Sequence, residues 1–169
     1  MYKILPSNRF QDYKKVENGL IRNDFGDKEE AQVDPSAHMF KPLADPKKQV
    51  DFVEGIITIG GNGNPQGIGC AVHGYAFNKS MGDKCFVNVD GDFLIVPQQG
   101  SLNVTTEFGL LRVSPSEILL IPQGLKFTVD IDKEGEVTKG FIGETYHTHW
   151  FLPEHGVLVS FVRLKVSAM

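Results

Sequence analysis

From Asp51 onward, apolar and polar residues alternate over short runs, and each run is closed by glycine, proline or a polar turn. Cys70–Phe77 (CAVHGYAF) has the alternation of a half-buried strand, because successive strand side chains face opposite sides. Asp51–Ile59 reads as a strand before it, with Gly60–Gly69 as a glycine-rich loop between them. Further strands are predicted over Lys84–Val89, Phe93–Pro97, Ser101–Thr106, Gly109–Val113, Glu117–Pro122, Lys126–Ile131 and Val137–Glu144. Short strands at regular spacing indicate a sandwich or barrel, and no segment carries apolar residues at helical spacing. The predicted fold is all-β.

The ends of the chain differ from this middle. Residues 1–50 hold few apolar runs and much Asp, Glu, Lys, Pro and Asn, so they read as an irregular arm or peripheral layer. Short strands are expected there at Tyr2–Leu5 and Asn18–Asp24, with a polar, acidic loop over Asn23–Gln32. Residues 51–156 form the barrel. Residues 157–169 (VLVSFVRLKVSAM) are an apolar, strand-like tail that would close the barrel or remain an edge prone to association.

Composition narrows the function. A chain of 169 residues is enough for one domain with a real core. Its 18 Gly and 9 Pro fit an architecture rich in turns. A net charge of −4, with basic residues clustered only as the pairs Lys14-Lys15 and Lys47-Lys48, gives no phosphate-binding surface, so nucleic acid is excluded as a partner. Cys70 and Cys85 are too few for a disulfide framework and show no CxxC spacing. The N-terminus lacks the apolar run of a signal peptide, and no segment has the length of a membrane span. A cytoplasmic protein is expected, in which the sequons at Asn78 and Asn103 carry no weight.

Complete catalytic motifs are missing. The segment GGNGNPQGIG precedes a strand, contains Pro65 and has no Lys-Ser/Thr pair, so it reads as a hairpin loop and not a phosphate cradle. Cupin barrels draw metal-binding His and acid residues from two neighbouring hairpins, where several ligands converge on one ion. Here Asn88 and Asp90 stand about where a His-x-His pair would be, Asp92 near the acid, and Phe127 where a further His is expected. That set suits an apolar or hydrogen-bonded interior better than Fe(II) or Zn(II). A second arrangement lies at His147-Thr148-His149: on a strand the two imidazoles would face one side, with Glu154 or His155 as third ligand after Pro153. Against it, a bare His-x-His is unspecific, and the order of the two motifs is reversed. His73 reads as a structural donor.

Several segments together resemble the N-terminal region of homogentisate 1,2-dioxygenases: Tyr2-Lys3-Ile4-Leu5-Pro6-Ser7, Lys41-Pro42, Val50-Asp51-Phe52-Val53-x-Gly55, the long block Asn88-x-Asp90-Gly91-Asp92-Phe93-Leu94-Ile95-Val96-Pro97-Gln98, Thr106-Glu107-Phe108-Gly109 and Gly124-x-x-Phe127. The resemblance implies a cupin-like (RmlC-like jelly-roll) barrel from a cytoplasmic enzyme of tyrosine and phenylalanine catabolism. Such enzymes open the ring of homogentisate with O₂ at a mononuclear Fe(II), giving maleylacetoacetate, and assemble as trimers and hexamers. In the family the iron-binding His and Glu residues and the base histidine lie in a C-terminal half outside this chain. No catalytic, cofactor-binding or metal residue is therefore carried onto a position here, and no Fe(II) is expected to bind this chain itself. His149 matches a family-like histidine, whereas His147 lies outside the pattern.

After Gly156 the resemblance ends abruptly, as an out-of-frame or intron-derived tail, or a truncation, would produce. The expected function is that of an iron-free N-terminal portion of a homogentisate dioxygenase, inactive alone, partnered by copies of itself or full-length subunits. The small aromatic substrate belongs to the complete enzyme. Two alternatives stand beside this: a non-enzymatic assembly or binding module, and a small metal-dependent cupin using His147, His149 and Glu154.

Overall fold

The computed structural model describes residues 20–23, 25, 42–133 and 135–151. Nine strands appear in chain order: β1 (Ile56–Asn62), β2 (Gly69–Phe77), β3 (Phe86–Val87), β4 (Gly91–Gln99), β5 (Leu102–Thr106), β6 (Gly109–Val113), β7 (Leu119–Ile121), β8 (Lys126–Ile131) and β9 (Thr138–Tyr146). They form two antiparallel sheets, one ordered β1-β2-β9-β4-β7 and the other β3-β8-β5-β6. Neighbours such as β2 and β9 are far apart in sequence, which gives the crossed connections of a cupin-like jelly roll. No helix occurs among the described residues.

Alternation explains which side chains fill the space between the sheets. On β9, Thr138, Gly140, Ile142, Glu144 and Tyr146 are buried, every second residue of the strand. On the same sheet, His73, Tyr75 and Phe77 of β2 and Phe93 and Ile95 of β4 flank them and point into the same interior. The second sheet contributes Leu102, Val104, Phe127 and Val129. Each such side chain adds about 1.5–3 kcal/mol relative to an exposed one. Gly140 is needed opposite Tyr75, because a Cβ there would meet the Tyr75 ring and the carbonyl of Val96.

Three segments differ in kind from the expectation, beside shifts of one or two residues at the ends of most other strands, which leave β3 only Phe86–Val87. Asp51–Ile59 is not one strand: residues 52–55 form a turn, and β1 begins at Ile56. The Asp51 carboxylate accepts the Glu54 N–H and its carbonyl accepts the Gly55 N–H, so the chain closes there instead of extending. Phe52 enters the core from this turn, fully buried. The Gly60–Gly69 loop is shorter than expected, because β1 runs on through Asn62 and pairs it with Cys70. At Asn18–Asp24 the described residues make a single parallel bridge, Leu20 to Ile57, and no strand. The strand expected at Tyr2–Leu5 and the tail over 157–169 lie outside the described residues.

The described part of the arm lies along the barrel. Arg22 donates its N–H to Thr58 Oγ1 at 2.7 Å, Phe25 donates its N–H to the Gly63 carbonyl, and Lys139 reaches the Leu43 carbonyl.

Candidate functional site

The most polar point of the interior is built across four segments. His73 lies mid-strand in β2, directly opposite Thr58 on β1 and diagonal to Glu144 on β9. Direct and diagonal partners on one sheet face are within reach of long side chains. Accordingly His73 Nδ1 is 2.9 Å from Thr58 Oγ1, and His73 Nε2 is 3.0 Å from Glu144 Oε2. Asn88, from the turn before β4, donates Nδ2 to Glu144 Oε1 at 2.6 Å and to the Gly91 carbonyl at 2.9 Å. His73, Glu144 and Asn88 are all buried.

The hydrogen-bond inventory shows how these groups satisfy one another. A carboxylate only accepts, so His73 Nε2 carries a proton toward Glu144. Thr58 Oγ1 accepts from the Arg22 N–H, and its own proton lies within reach of both His73 Nδ1 and the Arg22 carbonyl, so both imidazole nitrogens are engaged in either arrangement. The result is a closed chain, Thr58–His73–Glu144–Asn88, and His73 is a structural donor as expected.

This set does not fit a facial triad of two histidines and one carboxylate. It offers one imidazole, whose nitrogens are both bonded, and an Asn88 amide that points N–H groups at the carboxylate. No group of three or more His, Cys, Asp or Glu suited to a metal ion occurs among the described residues. Phe127 packs between Phe52 and Phe86, at ring separations of 6.2 and 5.7 Å, so the position of the second-hairpin ligand is part of an aromatic cluster.

Asp92 departs from the acid position proposed for it. It lies on the opposite face of β4 from the buried Phe93, under two turns that cover it. Its carboxylate accepts the Gln123 N–H at 2.8 Å and the Trp150 N–H at 3.1 Å, and His149 Nδ1 lies 3.1 Å away. The His147-x-His149 strand geometry also fails: β9 ends at Tyr146, and His147 takes a left-handed backbone with φ of 62°. His149 turns back to Asp92 instead of pairing with His147. Glu154 and His155 lie outside the described residues. Asp90, at the rim, accepts Asn23 Nδ2 at 2.8 Å.

Glu144 and Thr58 are site residues that motif reading missed. The available signal was alternation: Glu144 occupies an inward position in the run Thr138, Gly140, Ile142, Glu144, Tyr146.

For Asp92, burial raises the carboxyl, but the donors from Gln123, His149 and Trp150 outweigh it, leaving the group below its ordinary 3.8. A folded-state value below the unfolded one stabilises above the unfolded value and is lost as pH falls through the folded one. Asp92→Asn is expected to cost about 1–3 kcal/mol near neutral pH. That difference from wild type should shrink below about pH 4, as read by urea unfolding at stepped pH. A difference that stays constant down to about pH 2 would contradict the assignment.

A family model described as homogentisate 1,2-dioxygenase N-terminal matches residues 1–161. The chain is 40% identical over 160 residues to a human homogentisate 1,2-dioxygenase and 42% identical over 163 residues to one from Drosophila melanogaster, covering 92% of this chain in each case. It spans 35% of the length of those relatives. Among solved structures, the Schizosaccharomyces pombe Cnp3 cupin domain is similar at TM-score 0.44 and 10% identity, over 54% of this chain and 64% of that one. A cupin-2 domain protein of Shewanella frigidimarina is similar at TM-score 0.39 and 16% identity, over 45% and 70%.

Proposed function

We infer that this chain, which belongs to the homogentisate 1,2-dioxygenase N-terminal family, is the iron-free barrel of a ring-cleaving dioxygenase. Its role is to support and assemble the enzyme, and the oxygen chemistry takes place on other residues. The reaction proposed for the complete enzyme is opening of the homogentisate ring by O₂ at Fe(II), within tyrosine and phenylalanine catabolism in the cytoplasm. The observation that carries this reading is the closed chain Thr58–His73–Glu144–Asn88: every nitrogen of the imidazole and both carboxylate oxygens are bonded within the protein. A catalytic iron needs free imidazole nitrogens, which His73 does not offer, and open positions for substrate and O₂. Phe127 adds to this, since a phenyl ring supplies no ligand.

On this reading the partners are copies of this chain or full-length subunits. The test uses the full chain, purified without a histidine tag and equilibrated with Fe(II). Stoichiometric iron is not expected, nor is homogentisate cleavage, followed by maleylacetoacetate absorbance. Mixed with full-length enzyme, the chain is expected to co-purify with its subunits. Turnover by the isolated chain would refute the reading, and so would a monodisperse monomer that ignores the full-length enzyme.

A further inference from the structure

A cavity of about 220 Å³ opens at the mouth of the barrel, between β3, the start of β4 and the arm segment around Arg22. Its walls are apolar, with Val53, Phe86, Val87 and Phe93. Phe86 and Phe93 stand nearly parallel, with centroids 6.2 Å apart and planes 22° from each other. Glu144 and Asn88 also line it. At the rim, Asn23 and Asp90 are joined by a hydrogen bond of 2.8 Å.

Three features decide what such a cavity takes. The first is size: an apolar cavity of about 150 Å³ holds a benzene ring, so this one has room for a six-membered ring with a short arm. The second is charge. Glu144, only 4% exposed, and the half-buried Asp90 contribute two carboxylates, whereas the one basic residue on the lining, Arg22, is exposed. The third is unused acceptor capacity. A carboxylate has about four acceptor sites, and Glu144 receives two donors, from His73 and Asn88. Beside it lies the buried Tyr146 hydroxyl, pushed up by burial first and then by the charge of Glu144 and a hydrogen bond to it, which leaves the carboxylate one acceptor site for a ligand.

We propose that this cavity binds a compact organic cation, an ammonium group on an aromatic ring or short apolar body, with the ammonium on Glu144 and the ring against Phe86 and Phe93. A cation near aromatic faces and a buried carboxylate is favoured by both, and desolvation strengthens each contact. The same carboxylates reject anions, so an aryl carboxylate is excluded from this site. The inference stands apart from the assembly role: the cation could bind whether or not the chain joins a larger enzyme. Asn23–Asp90 closes over the site, and Arg22 is tied through Thr58 and His73 to Glu144, so occupancy is felt by the arm.

The probe is benzylammonium chloride, titrated into the full chain and followed by NMR shifts of the Phe86 and Phe93 rings, with benzyl alcohol and phenylacetate as comparators. Saturable binding is expected for benzylammonium, at least about tenfold tighter than for benzyl alcohol, and none for phenylacetate. Glu144→Gln should weaken benzylammonium by about tenfold while leaving benzyl alcohol within about twofold. Val87→Trp, which fills the cavity from its wall, should abolish binding of both and serves if Glu144→Gln fails to fold. Equal affinity for alcohol and ammonium would overturn the proposal. Absence of any saturable shift would do the same, as would unchanged benzylammonium binding in either variant.

Discussion

Glu144→Ala is expected to lower the stability of the folded chain by about 3–5 kcal/mol, the range for removing one member of a buried, hydrogen-bonded pair. For a chain of this size that is a fall of about 6–20 °C in Tm. The cost has two parts. The His73 Nε2–H and one Asn88 N–H lose their shared acceptor, and both donors are buried. Glu144→Gln should cost less, about 1–2 kcal/mol, because the proton chain can reverse. The glutamine carbonyl accepts from Asn88 and its amide donates to His73 Nε2. His73 Nδ1–H then donates to Thr58, whose hydroxyl turns to the Arg22 carbonyl at 3.3 Å. The pair His73→Leu with Glu144→Leu should recover most of the loss, since an apolar replacement of a buried pair is often neutral. Urea unfolding of wild type, His73→Leu, Glu144→Leu and the double variant gives the coupling energy directly. A Glu144→Ala cost below about 1 kcal/mol, or a double variant as unstable as the sum of the singles, would show that the chain is not closed as drawn.

Much of the barrel could be read from residue order because its signals are local. Gly109–Val113 and Lys126–Ile131 have the expected bounds, since alternation and a flanking glycine or turn are both contained in the segment. The β5–β6 hairpin is likewise local: Thr106 Oγ1 accepts the Phe108 N–H two residues on. What stayed hidden was non-local. Phe52 is as apolar as a strand residue and as buried, but it reaches the core from a turn held by Asp51 and Glu54. His147 and His149 satisfy the period of a strand only while the strand lasts, and it stops one residue before them. The polar chain joins residues up to 71 apart, from His73 to Glu144, a pairing set by sheet order alone. Asn88 lies in the hydrogen-bonded interior, whereas Asp92 is buried on the other face of β4, because it is one residue from the inward Phe93.

Phe127→His is expected to destabilise the chain by about 3 kcal/mol without creating a metal site. Phe127 is 1% exposed and touches the Phe52 and Phe86 rings edge-on, at interplanar angles of 69° and 90°. Edge-to-face contacts add to the apolar burial, and a smaller, polar imidazole loses both while leaving nitrogens to be satisfied in an apolar cluster. The ring nearest His73 is Phe93, which itself packs against Phe86, so aromatic side chains separate position 127 from the polar chain. A new imidazole there would face the Phe52 and Phe86 rings, and neither ring supplies a ligand to share an ion with. Binding of Fe(II), Mn(II) or Zn(II) by the variant should therefore match wild type, measured by metal analysis of tag-free protein beside urea unfolding. If Phe127→His instead took up one equivalent of metal and gained stability with it, the interior would be a dormant metal site. The barrel would then have to be read as a catalytic centre one substitution away from its ion, and not as a layer built around a closed polar chain.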